Sequence, residues 1–179
     1  MILGGSAGAR ALNENVPPAL GRIRSKLDGW HVVHQSGTAD FEATRERYRD
    51  LGLPATVVLF AADMAGLLNG SHMAVSRAGG TTLAELAAAG VPAVLVPYPH
   101  AADDHQRINA EAFASEGGCL VLDEREHSGK LDQALAEVLS GLLADPETAT
   151  RMAASMRRIA RPDAAEHVTE LIETLVRFD

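Results

Sequence analysis

The 179-residue sequence predicts an α/β fold: a Rossmann-like parallel sheet with helices on both faces, closed by a helical carboxy-terminal segment. Three observations carry this. Short β-rich runs alternate with longer helical ones, which is the pattern of a parallel sheet built from β-then-α units. Several of the short runs are near-continuously apolar, as strands covered on both faces must be. After Asp123 no strand signal recurs and the chain reads as helix to its end.

Taken in order, the strands are expected at residues 2–3, 31–34, 56–60, 72–76, 93–97 and 119–122. The helices between them are expected at 9–27, 40–51, 63–68, 82–89 and 104–116. Pro17-Pro18 falls inside the first and should break or kink it, since proline removes a helical donor and crowds the preceding turn. Residues 131–143, 147–159 and 163–176 read as three further helices. Asp145-Pro146 and Arg161-Pro162-Asp163 punctuate them, with Asp163 placed as an N-cap. There is no internal repeat, low-complexity stretch or linker, so residues 1–179 read as one domain.

Composition bounds the function. The formal charge of −8 disfavours nucleic-acid binding, which needs an excess of Lys and Arg. Cys119 is the single cysteine, so no intramolecular disulfide can form, which fits a reducing compartment. No apolar run approaches the ~20 residues that span a bilayer, and no signal peptide is evident. The expectation is a cytoplasmic domain without direct membrane insertion. The chain opens on its first strand and phosphate-type loop, as though cut from something larger.

Parallel sheets bind ligands at the carboxyl ends of their strands. The segments there are GGSAGAR, QSG, AADM, RAGGTTLAE and PHAADDHQ. The first admits two readings. Gly4-Gly5-Ser6-Ala7-Gly8 fits the G-x-S-x-G elbow of serine hydrolases, and equally a glycine turn that holds phosphate at a helix start. An elbow needs preceding strands to complete its oxyanion hole, and none precede, so Ser6 is read as a ligand donor. Gly79-Gly80 forms a second such turn with Thr81 beside it; two turns suit a ligand with two phosphates or a long polar body, or are simply the tight turns such a fold needs.

Other residues keep two readings each. Thr82 to Glu85 matches a capping box, whereas a carboxylate at Glu85 can also accept ribose hydroxyls. Arg10 and Arg77 could neutralise phosphate or form surface ion pairs. Gln35 and Ser36 are read as structural. His100 to Gln106 holds two His and two Asp. It can be a polar ligand loop, a helix start capped by Asp103 or Asp104, or a metal site, which no second ligand cluster supports.

GGSAGAR, HQSG, the 35-residue block SRAGGTTLAELAAAGVPAVLVPYPHAADDHQRINA and the late ARPDAAEHV together resemble the carboxy-terminal half of the bacterial MurG family of glycosyltransferases. The resemblance covers nearly the whole chain, and the central block is its specific part. It implies one half of a two-lobed GT-B fold that holds UDP-N-acetylglucosamine. The whole enzyme would transfer GlcNAc to lipid I, forming lipid II for peptidoglycan at the cytoplasmic face of the inner membrane. Carried over, Gly5, Ser6 and Gly8 would meet the diphosphate, and Gly79, Gly80 and Thr81 would lie along it. The Ala61 backbone would meet uracil, Glu85 the ribose, and His105 and Gln106 the GlcNAc hydroxyls. The family often has Gln at the position of His105. The half that would supply the catalytic base and contact lipid I has no counterpart here, so no catalytic residue is expected in this chain and the chain alone should be inactive. No cofactor or metal is expected, with backbone amides and a helix dipole stabilising the leaving UDP. The alternatives are the donor half of a UDP-GlcNAc 2-epimerase or glycolipid transferase, a split-subunit binding module, and, least favoured, a serine hydrolase.

Overall fold

The computed structural model describes residues 1–4 and 9–176. Six strands form one all-parallel sheet: β1 (Ile2–Leu3), β2 (Val32–Gln35), β3 (Ala55–Val58), β4 (Ala74–Ser76), β5 (Ala93–Leu95) and β6 (Cys119–Val121). Their spatial order is β3-β2-β1-β4-β5-β6. Every neighbouring pair is parallel, with Leu3 opposite both Gln35 and Ser76. This is the doubly wound order in which the chain reverses direction between β1 and β4.

The apolar runs are explained by two buried layers. Ile2, Val75 and Val94 pack with Leu12, Val16, Leu20, Leu135 and Leu139 on one face. Their strand neighbours Leu3, Ala74, Ala93 and Leu95 pack with Leu68, Leu83, Leu86 and Met156 on the other. Successive side chains point to opposite faces, and both faces are dry, so no polar alternation survives.

The helices are α1 (Arg10–Arg22), α2 (Phe41–Asp50), α3 (Met64–Asn69), α4 (Gly80–Ala89), α5 (His105–Ser115), α6 (Leu131–Ala144), α7 (Pro146–Ile159) and α8 (Ala164–Val176). Two expectations are corrected. Pro17 and Pro18 do not end α1, which runs as one helix to Arg22. Its buried face (Leu12, Val16, Pro17, Ala19, Leu20) joins the layer that holds α6, and that burial offsets the lost donors. The strand expected to reach Phe60 stops at Val58, leaving Leu59 and Phe60 exposed. Asp145 caps α7, accepting from the Thr148 amide at 3.0 Å, with Pro146 in the first turn where its missing N–H costs nothing. The turn at 161–163 leads into α8 at Ala164. There Val168, Leu171, Ile172 and Leu175 form an exposed apolar stripe at helical spacing.

A buried polar network fixes α1 and α2 against β2. Asn13 Nδ2 donates to Ser36 O and to Asp40 Oδ2, both at 2.9 Å. That leaves Asn13 Oδ1 to accept from His34 Nε2 at 2.9 Å, so His34 Nδ1 accepts from the Tyr48 hydroxyl at 2.9 Å. His34 is therefore neutral. Burial agrees, holding its pKa down to about 3 and pushing the Tyr48 phenol up. Ser36 Oγ donates to Gly37 O at 3.1 Å. The structural reading of this strand end stands.

Candidate functional site

Three central helices start at the carboxyl edge of the sheet without a side-chain cap. The N-caps of α1, α4 and α5 are Ala9, Gly79 and Asp104, and none accepts a helix amide through its side chain. None of the three has an acid in its first turn. On the outer strand β3, by contrast, α3 begins with Asp63 accepting from the Gly66 amide at 2.8 Å. Bare amides at the positive end of a helix dipole suit an anion. The starts of α1 and α4 lie at the β1/β4 reversal, the position that ligands occupy in such sheets, whereas the first amide of α5 already donates to Ala102 O.

The glycines of α4 carry the next step. Gly79 has φ −70° and ψ 140°, a conformation open to any residue. A Cβ added at Gly79 or Gly80 would meet nothing within 4 Å among the described residues. Among the described residues neither glycine is required by a turn or by packing. Gly90 at the other end of α4 is the opposite case, with φ +68° and Arg157 against its α-carbon. What Gly79 and Gly80 provide is access to the amides from outside.

Beside them opens a cleft of about 600 Å³, within the usual range for small-ligand sites. Gly4 after β1, Arg77 and Gly79 after β4, Tyr98 after β5, Gln106 on α5 and Glu124 after β6 line it. Gly5, Ser6 and Gly8 lie outside the described residues.

Glu85 sits in the second turn of α4, half-buried in a separate hollow with Met64, Leu68 and Asn69 of α3. The capping-box reading is overturned, because α4 begins at Gly80 and Thr82 is not its N-cap. Among the described residues Glu85 has no hydrogen bond or ion pair. Ala61 is buried in the turn between β3 and α3, so the hollow and this turn flank the same short helix. Thr81 is exposed in the first turn of α4.

Arg77, expected beside phosphate or in a surface pair, is buried and paired. Its Nη1 donates to Val96 O and Pro97 O, both at 3.0 Å, and to Glu124 Oε2 at 2.8 Å. Its guanidinium carbon lies 5.5 Å from the Tyr98 ring centre. Arg10 is exposed and paired with Glu14 at 2.8 Å, the surface reading. Gln106 Oε1 accepts from the amides of Ala78 (3.2 Å) and Tyr98 (3.0 Å), tying the ends of β4 and β5 together, while its Nε2 has no partner among the described residues. His105 is exposed, and its Nδ1 donates to Ala102 O at 2.7 Å.

The loop before α5 is held under strain. Asp103 and Asp104 have φ of 49° and 55°, costly for non-glycine residues and concentrated at functional sites. Asp104 caps no amide. Its carboxylate takes Arg107 Nε at 2.5 Å and Arg125 Nη1 at 3.5 Å, which holds it below the usual carboxylate range. Among the described residues no three His, Cys, Asp or Glu side chains gather as a metal site. Two residues that the sequence did not single out, Glu124 and Arg125, clasp the site from β6, one gripping Arg77 and the other Asp104.

The architecture thus defines a Rossmann-like lobe whose strand reversal carries, among the described residues, helix starts without side-chain caps. The chain belongs to the glycosyltransferase family 28 C-terminal domain family, which matches residues 1–168. It is 42% identical over 99% of its length to the UDP-N-acetylglucosamine–N-acetylmuramyl-(pentapeptide) pyrophosphoryl-undecaprenol N-acetylglucosamine transferase of Ectopseudomonas mendocina, covering 49% of that protein. The transferase of the same name from Gloeobacter violaceus is also 42% identical, with 99% of this chain and 48% of that one covered. The chain therefore spans about half the length of the curated relatives it matches. Among solved structures, MurG of Acinetobacter baumannii superimposes with a TM-score of 0.86 at 37% identity, over 97% of this chain and 49% of that one. A UDP-N-acetylglucosamine 2-epimerase shares the fold at a TM-score of 0.66 and 15% identity, over 99% of this chain and 43% of that one. Among the described residues no helix is long and apolar enough to cross a membrane.

Proposed function

We propose that this chain is the donor-binding half of an inverting transferase that moves N-acetylglucosamine from UDP-GlcNAc to lipid I, forming lipid II for peptidoglycan. The observation that carries the reading is the start of α4: two glycines that no packing among the described residues requires, with Glu85, which pairs with none of those residues, on the same helix. The names of the relatives supply the donor and acceptor chemistry.

In this reading the amides of Gly79, Gly80 and Thr81, with Arg77 and the loop of Gly5, Ser6 and Gly8, receive the diphosphate. Glu85 accepts the ribose hydroxyls, and the Ala61 backbone meets uracil. His105 and Gln106 Nε2 face the GlcNAc hydroxyls. The acceptor hydroxyl attacks the anomeric carbon, the bond to UDP breaks, and a base on the other half of the enzyme takes the proton. This half contributes the stabilisation of the departing diphosphate. Amides already fixed in place need no reorganisation as negative charge builds on the leaving group. The lipid acceptor is held by the other half, at the cytoplasmic face of the inner membrane.

Calorimetry with UDP and UDP-GlcNAc, paired with a lipid I turnover assay, tests this. Weak binding of both nucleotides without turnover is expected. Absence of UDP binding overturns the donor assignment, and turnover by the pure chain overturns the half-enzyme assignment.

A further inference from the structure

Among the described residues Arg77 engages only one edge of its guanidinium. Nη1 is saturated by Val96 O, Pro97 O and Glu124 Oε2. Nε and Nη2, the edge with three N–H groups in a planar fork, have no acceptor among the described residues. The residue is 9% exposed and lines the cleft beside Gly79. A buried guanidinium with an idle fork is matched to a phosphate oxygen pair.

The two carbonyls cannot set this arrangement alone, because neutral acceptors offset little of a buried charge. Glu124 supplies the countercharge, at 2.8 Å and from a different strand end. Its neighbour Arg125 turns the other way, to Asp123 at 2.6 Å and Asp104 at 3.5 Å, and so anchors the segment that presents Glu124.

We propose that Glu124 is a positioning residue of the donor site: it holds the Nη1 edge of Arg77 so that the Nε–Nη2 edge stands ready for the donor diphosphate. This rests on the donor-binding reading above. Glu124 touches no substrate and acts through Arg77.

The test uses the 179-residue chain with UDP and with uridine, which lacks the diphosphate. Glu124→Ala is expected to weaken UDP binding about 10-fold and leave uridine binding unchanged. Glu124→Gln, which keeps an acceptor oxygen but loses the countercharge, should recover only part of that loss. Arg77→Lys keeps the charge but loses the fork, and combining it with Glu124→Ala should cost no more than the worse single change. If the alanine variant does not fold, Glu124→Asp, whose shorter arm withdraws the carboxylate, carries the same expectation. Equal weakening of UDP and uridine, an unchanged UDP affinity, or additive losses with Arg77→Lys overturns the positioning role while the donor reading stands. A parent chain that binds neither UDP nor uridine overturns both.

Discussion

Gln106 and Ala78 are joined by a hydrogen bond from the Ala78 amide to Gln106 Oε1 at 3.2 Å, and the same oxygen takes the Tyr98 amide at 3.0 Å. Ala78 immediately precedes Gly79, so this side chain sets where the start of α4 lies. From sequence alone Gln106 is expected to read only the sugar, and Gln106→Ala to spare UDP. The bridge changes that expectation. Gln106→Ala should weaken UDP and UDP-GlcNAc together, by about 5- to 10-fold, the value of one to two ordinary hydrogen bonds. Titration calorimetry with both nucleotides checks it. A loss confined to UDP-GlcNAc would return Gln106 to a purely sugar-reading role.

Glu85 has no structural task that would confuse its test. It does not cap α4 and pairs with nothing among the described residues. Glu85→Ala should therefore leave the melting temperature unchanged, because alanine is at least as good a helix former. UDP affinity should fall about 10- to 100-fold, the value of a carboxylate bonded to hydroxyls. A lower melting temperature with unchanged affinity would restore the capping role that its spacing suggests.

Much of this was legible in the sequence because it rests on local signals. The six short runs became the six strands in order, because the central ones are buried on both faces and so read as near-continuously apolar. The glycine turn after β4 was legible too, because Gly79-Gly80 stands directly between a strand signal and a helix signal, whereas the turn at 5–8 lies outside the described residues. What failed were local motifs overridden by geometry. The capping-box pattern at Thr82 and Glu85 is real as a pattern, but the extended ψ of Gly79 starts the helix two residues earlier. The proline pair in α1 was overridden by burial. The clasp from β6 had no signal at all. Glu124 meets Arg77 across 47 residues, and neither periodicity nor spacing records a contact that exists only because β4 and β6 flank β5.

His34 gives the fold a pH dependence with a definite sign. Its pKa is held down to about 3 by burial, while in the unfolded chain it titrates near 6.5. Between those values the unfolded state binds the extra proton. The stabilisation is complete above about pH 6.5 and is lost as pH falls toward 3, at up to ~1.4 kcal/mol per pH unit for this one group. Urea midpoints measured from pH 7 to 5 should fall accordingly. His34→Gln, which cannot take up a proton, should flatten that slope while lowering stability at pH 7, since it fits the Asn13 and Tyr48 partners poorly. A slope equally steep in the variant would assign the dependence to other groups.

The sharpest separation of fold from function falls on Gly80. It lies in the first turn of α4, and a methyl group there meets only open space among the described residues. Replacing glycine by alanine where the backbone already suits it stabilises by up to about 1 kcal/mol, mostly by restricting the unfolded chain. For a chain of this length that is an increase of about 2–4 °C in Tm. Gly80→Ala should therefore melt no lower than the parent. In the proposed donor site the same methyl group would stand where the diphosphate approaches the helix amides, and each charge-assisted hydrogen bond lost there is worth roughly 1.5–3 kcal/mol. UDP affinity should drop about 10-fold or more in a protein that is as stable as before. Thermal melting and UDP calorimetry on the same sample read both quantities. A variant that binds UDP as the parent does would show that the open space before α4 is not the phosphate cradle, and one that melts lower would show that Gly80 serves the fold after all.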